Sequence, residues 1–117
     1  MHNYRKLIVY DRARTFARNV YLLTAAVGKP EERTITSQLR RSPLSIAANI
    51  SEGCAKRSRA DTLRFLDVSL ASTAESEHHL GVAADLLILP EKQCVKLIDE
   101  AVQIRRMLRR LIENFPQ

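Results

Sequence analysis

Apolar residues return every three or four positions along four stretches of this chain, roughly 8–27, 33–55, 59–88 and 91–114. In the first, Val9, Ala13, Phe16, Val20, Leu23 and Val27 alternate steps of four and three, which keeps one stripe on one side of an α-helix. In the last, Cys94, Leu97, Ala101, Ile104, Leu108, Leu111 and Phe115 do the same. The second stretch is less regular. Ile35, Leu39, Ile46, Ile50 and Gly53 share a side, but Pro43 sits inside the pattern and predicts a kink or break there. Breakers fall between the stretches: Gly28-Lys29-Pro30 reads as a helix stop, Ser58 with Asp61 as a capping box, and Leu89-Pro90-Glu91 as a new helix start. Strand alternation is confined to Leu7–Tyr10. The pattern predicts one all-α domain over residues 1–117, an antiparallel up-down four-helix bundle with short loops.

The third stretch carries two stripes. Leu63, Leu66, Leu70, Thr73, Glu77, Leu80, Ala84 and Leu87 form one, and Phe65, Val68, Ser72, Glu75, His79, Val82 and Leu86 form another. On an ideal helix they lie about 160° apart. A monomeric bundle needs only one such face for its core. Either this helix packs on two sides within the bundle, or its second face meets another subunit, and the second reading is preferred. The small residues Ala71, Ser72, Thr73, Ala74 and Ser76 suit close helix approach in both cases.

Charge adds a direction to this picture. The chain has 19 Lys and Arg against 13 Asp and Glu, a net charge of +6, unevenly placed. Residues 1–60 carry 12 basic and 4 acidic residues, residues 61–100 carry 3 and 8, and residues 101–117 carry 4 and 1. Nucleic acid, an anionic lipid face or an acidic partner would each suit such a surplus. At 45% hydrophobic the chain is no disordered tail, and 3 Gly, 4 Pro and no Trp argue against an all-β sandwich. Two cysteines make no disulfide framework. No run approaches the 18 or more apolar residues of a membrane span, and Leu7–Tyr10 is too short for a signal peptide's apolar region. A reduced, cytoplasmic protein is expected.

Several stretches resemble a known family. Tyr4-Arg5-Lys6-Leu7-Ile8-Val9-Tyr10-Asp11-Arg12-Ala13 is similar to its opening motif, and the run from Thr36 to Gly53, with Gln38-Leu39-Arg40-Arg41 and Asn49-Ile50-Ser51-Glu52-Gly53, is similar to its most distinctive one. Arg64-Phe65-Leu66, Ala71-Ser72, Glu75, Glu77 and Leu80 follow at matching distances. The family is that of the four-helix-bundle proteins encoded by intervening sequences in bacterial 23S rRNA genes, similar to the accessory variability determinant proteins of diversity-generating retroelements. The resemblance spans about residues 4–112. It implies a barrel-shaped homopentamer, and retroelement relatives that bind a reverse transcriptase and nucleic acid through a basic surface. The sequence departs from the family at Ala47, where Pro is common, at Pro43, where Ala is common, and at Tyr10, the usual Trp. Cys54-Ala55-Lys56-Arg57 replaces a Gly-rich turn.

The basic residues are the best functional candidates. Arg14 and Arg18 lie one turn apart, opposite the apolar stripe of the first helix. On the fourth, Arg106 and Arg110 share the outer face and Arg105 and Arg109 flank the core. Arg40, Arg41, Lys56, Arg57 and Arg59 complete the set. Such cations neutralise phosphates and release counterions, and 14 of the 19 are Arg, the better bidentate phosphate ligand. The alternative is a set of solvated helix faces with pairs such as Lys96–Glu100. No aromatic interleaving suggests base stacking, so recognition is expected of RNA or DNA backbone or shape.

Glu77, Asn49 and Glu52 interrupt or flank apolar stripes and are expected to fix structure, with Glu77 or Glu52 meeting Arg40 or Arg41. Glu75 and His78 have the Glu-x-x-His spacing of di-iron bundles, but a second such motif is missing, so no metal or other cofactor is expected. Cys54 beside Lys56 and Arg57 suggests a lowered thiol pKa without a His/Asp constellation to use it. No phosphate-binding glycine loop is present. The expected role is a non-enzymatic, basic, oligomeric scaffold for RNA or DNA, or else an adaptor docking onto a nucleic-acid-processing enzyme such as a reverse transcriptase.

Overall fold

Chain signals and elements agree closely in the computed structural model, which describes residues 3–116. A single 3-10 turn, Tyr4–Lys6, leads into α1 (Ile8–Thr24), α2 (Pro30–Cys54), α3 (Arg59–Asp85) and α4 (Glu91–Glu113). Pro30 opens α2 earlier than the apolar pattern alone predicts, because proline suits a first turn whose N–H groups have no helical partner. Glu31 and Glu32 then face the positive helix end. Ser58 caps α3 as expected, its side chain accepting the Asp61 N–H at 3.1 Å.

Two ends fall short of their predicted positions, for local reasons. In α1 the last residue, Thr24, turns its hydroxyl back to the Val20 and Tyr21 carbonyls (2.9 and 3.0 Å). That hydroxyl also accepts from Arg40 Nε at 2.7 Å. In α3 the helix stops at Asp85, three residues early, because Leu87 adopts φ 58°. The Leu87 and Ile88 N–H groups then bond back to the Ala84 and Ala83 carbonyls (3.0 and 2.9 Å), closing the end in the way a left-handed glycine usually does. Pro43 does not break α2, which runs through it with the ring buried.

Each helix packs on its successor and α4 returns to α1, giving a bundle of 48 × 22 × 19 Å. Phe16, Leu39, Ile46, Ile50, Leu66, Leu80, Ile104 and Leu108 fill its centre. Burying each side chain of this kind contributes about 1.5–3 kcal/mol.

The α2–α3 contact is built differently. Thr62 donates to the Gly53 carbonyl at 2.9 Å and Ser69 to the Ile46 carbonyl at 2.7 Å. Ser72 shares a hydrogen bond with Ser45 (2.9 Å), and Ser76 one with Ser42 (3.0 Å). Partner numbers fall on α2 as they rise on α3, so the helices are antiparallel. Among the described residues no buried side-chain nitrogen or oxygen lacks a partner. Thr62, Ser69, Ser76 and Ala83 form a heptad stripe between the two apolar ones, and all four are buried.

Close approach is tightest at Gly53. A Cβ placed there would lie 2.9 Å from Phe65 Cβ and 3.2 Å from the Thr62 carbonyl, so the helices must part to admit it. Gly53→Ala is therefore expected to destabilise by about 1–3 kcal/mol, as overpacking does. Gly81, whose added Cβ meets nothing within 4 Å, should instead gain about 0.5–1 kcal/mol on mutation to Ala. Urea unfolding of the two variants should show midpoints moving in opposite directions.

Candidate nucleic-acid interface

The outward arginines come from the polar sides of the same amphipathic helices. Arg14, Arg18, Arg41, Arg57, Arg59, Arg106, Arg109 and Arg110 are exposed, while Arg40, Lys56 and Arg105 are half-buried. Five of the set make specific contacts, among them Arg14, whose guanidinium lies 5.8 Å from the Tyr10 ring centroid, and Arg105 with Glu77. Arg40 bonds to Thr24 and lies over the Tyr21 ring, 4.2 Å from its centroid. Lys56 sits 4.8 Å from the centroid of Phe65, and Arg59 Nε donates to the Pro116 carbonyl at 3.0 Å. The ion pairs among the described residues are Arg64–Asp61, Glu75–His79 and Arg105–Glu77. None neutralises Arg14, Arg18, Arg41, Arg57, Arg106, Arg109 or Arg110. Lys96–Glu100, the pair named for the alternative of solvated helix faces, does not form among the described residues; Glu100 instead accepts from Asn19 of α1 at 3.5 Å.

Glu77 is half-buried and its partner is Arg105 Nε of α4, at 3.2 Å, not Arg40 or Arg41. Helical periodicity places Glu77 on a face but does not rank partners on the other helices. Asn49 bonds within α2, donating to the Ser45 carbonyl (2.8 Å) and hydroxyl (2.9 Å). Glu52 is exposed and does not serve the core.

On α3 the residues expected at a subunit interface divide. Val68, Glu75 and Leu86 are exposed, and Phe65, His79 and Val82 are half-buried. Ser72 is buried against α2 and belongs to the chain's own helix contact. Glu75 pairs with His79 at 3.2 Å, and no group of three or more His, Cys, Asp or Glu suited to a metal occurs among the described residues. Cys54 and Cys94 are free and buried. Burial pushes both thiols above their ordinary pKa, opposite to the lowering expected for Cys54.

Sequence reasoning missed one feature of the basic surface. Between α1 and α2 lies a groove lined by Arg14, Ala17, Arg18, Tyr21, Leu44 and Ala47. Tyr21 stands off the apolar stripe, three and seven residues beyond Arg18 and Arg14, and that placement was the available signal.

A family model described as 23S rRNA-intervening sequence protein matches residues 5–110. The chain belongs to that family. A crystal structure of a protein with unknown function from the S23 ribosomal protein family of Bacteroides thetaiotaomicron VPI-5482 is similar, with a TM-score of 0.83 and 29% identity. That similarity covers 92% of this chain and all of the other. No curated protein matches. For this intervening-sequence family member, the motif runs around Arg40-Arg41 and Asn49–Gly53 therefore fall on the middle and end of α2, the helix that meets both α1 and α3.

The Glu77–Arg105 pair ties α3 to α4 from a half-buried position, whereas Glu52 faces solvent. Glu77→Ala should cost about 1–2 kcal/mol, between the ranges for exposed and buried pairs, and Glu52→Ala less than about 0.5 kcal/mol. A double-mutant cycle with Arg105→Ala should return the coupling for Glu77 and none for Glu52.

Proposed function

We propose that this protein is a non-enzymatic, homo-oligomeric scaffold of the cytoplasm that binds RNA or DNA through backbone contacts. The observation that carries this reading is the set of exposed arginines on α1, α2, the α2–α3 turn and α4 that make no ion pair among the described residues. A guanidinium with no carboxylate in ion-pair contact keeps its hydrogen-bonding fork free, and that fork suits two phosphate oxygens at once. The two unpaired, buried thiols suit a reducing compartment.

The oligomer, a barrel-like homopentamer by family resemblance, is supported by apolar side chains left outside the core on α3 and at its C-terminal cap. Val68 and Leu86 are 45% and 57% exposed, and Phe65 and Val82 are only half covered. A second reading, an adaptor for a nucleic-acid-processing enzyme such as a reverse transcriptase, draws on Leu86 and Leu87, adjacent and exposed at the α3–α4 turn. The two differ in salt response, because an apolar protein contact releases few counterions.

Light scattering with fluorescence anisotropy, at several salt concentrations and with labelled RNA, tests the scaffold directly. The free protein should be larger than a monomer. With several phosphates engaged, RNA affinity should fall steeply, by about a thousandfold or more between roughly 50 and 200 mM salt. Arg106→Gln with Arg110→Gln should flatten the slope of log affinity against log salt by about one per cation removed. A monomer indifferent to RNA would end the proposal.

A further inference from the structure

The α1–α2 groove brings three properties together. Its cations are Arg14 and Arg18 on one rim, with Arg40 behind Tyr21, and no carboxylate is among its lining residues. Its floor is apolar, formed by Ala17, Ala47 and Leu44, the last 62% exposed. Its aromatic, Tyr21, is 55% exposed yet fixed in orientation, because the Arg40 guanidinium lies 4.2 Å from the ring centroid while its Nε is held by Thr24 at 2.7 Å.

An exposed aromatic on a helix surface ordinarily samples several rotamers. Here Thr24 anchors Arg40, which covers one side of the ring, so the phenol is already ordered before any ligand arrives. Ordering in advance lowers the entropic cost of binding. Arg14 and Arg18 lie one helical turn apart, about 6 Å along the axis. That is comparable with the separation of neighbouring phosphates along one nucleic-acid strand. A planar base needs a π-face and an apolar surround, and a phosphate needs a cation without a competing carboxylate. This groove supplies both within two turns of α1.

We infer that the groove is a single-strand site, in which an unpaired base stacks on Tyr21 over the Leu44 and Ala47 floor while Arg14 and Arg18 hold the flanking phosphates. Resting on the scaffold reading above, it narrows the ligand from nucleic acid in general to single-stranded or looped RNA or DNA. A duplex keeps its bases stacked on each other and offers Tyr21 nothing to receive. An acidic helix is the other occupant an arginine-rimmed apolar groove would accept, but it would make no use of the ordered ring.

The test uses the whole protein, a short labelled oligouridylate and an RNA duplex of equal length. Tyr21→Leu keeps apolar bulk and should weaken oligouridylate binding roughly tenfold, the scale of one lost base stack, with duplex binding and salt slope unchanged. Tyr21→Phe should bind like the parent. Arg14→Gln with Arg18→Gln should flatten the salt slope instead. Because the chain has no Trp, Tyr21→Trp places a lone reporter in the groove, and its fluorescence should be quenched as oligouridylate saturates. If the parent binds oligouridylate but Tyr21→Leu binds it equally, or Tyr21→Trp is not quenched, the stacking site is wrong and the scaffold reading survives. Binding of duplex alone has the same meaning. A parent that binds neither RNA overturns both.

Discussion

For Ser69 to reach the Ile46 carbonyl at 2.7 Å, α3 must lie close enough to α2 for a one-carbon side chain to touch main chain. The same demand recurs at Thr62 with Gly53, and in hydroxyl-to-hydroxyl form at Ser72 with Ser45 and Ser76 with Ser42. Large side chains at any of these positions would force the helices apart. Each hydroxyl also has to be satisfied once buried, since an orphaned one costs about 1–3 kcal/mol. A sliding of one helix along the other would therefore leave several polar groups unmet together. This interlock fixes register more sharply than apolar packing does, because apolar contacts are non-directional.

The rest of the arrangement follows from that pairing. With α2 and α3 joined through small residues, the bulky residues of both helices gather on the side facing α1 and α4, where Phe16, Leu39, Leu66, Leu80, Ile104 and Leu108 are buried. Helices α1 and α4 then need one apolar stripe each, and their other faces are free to carry charge. That is where Arg14, Arg18, Arg106, Arg109 and Arg110 stand exposed. The acidic surplus of residues 61–100 offsets little of it: Glu77 meets Arg105, but Asp61 and Glu75 pair within α3.

What the sequence made legible was whatever repeats with a helical period. The stripes of α1 and α4 are buried nearly as read, and Ser58 caps where expected. The third stretch was harder because its two apolar stripes flank a line of small polar residues, and hydrophobicity assigns that line to neither face. Thr62, Ser69 and Ser76 contact α2 together with Ser72 of the second stripe, and only their strict spacing of seven marks that line. Pro43 was misleading for a related reason. A proline read alone signals a break, but here the ring itself is packed in the core and the helix continues through it. The partner of Glu77 was illegible, since helical periodicity places a residue on a face and says nothing of which neighbour's side chain reaches it.

The charge on such a surface matters less as a total than as a set of unspent cations. Arg105 is taken by Glu77, Arg59 by the Pro116 carbonyl and Arg40 by Thr24 and Tyr21. These residues raise the net charge of +6 as much as any other, yet their geometry is already committed. Arg40 is committed in a way that orders something else. Held by Thr24, it lies over one face of the Tyr21 ring at the groove between α1 and α2. A cation spent inside the fold can thus contribute to recognition by what it holds in place, and the aromatic it holds lies within a turn of the unspent Arg18.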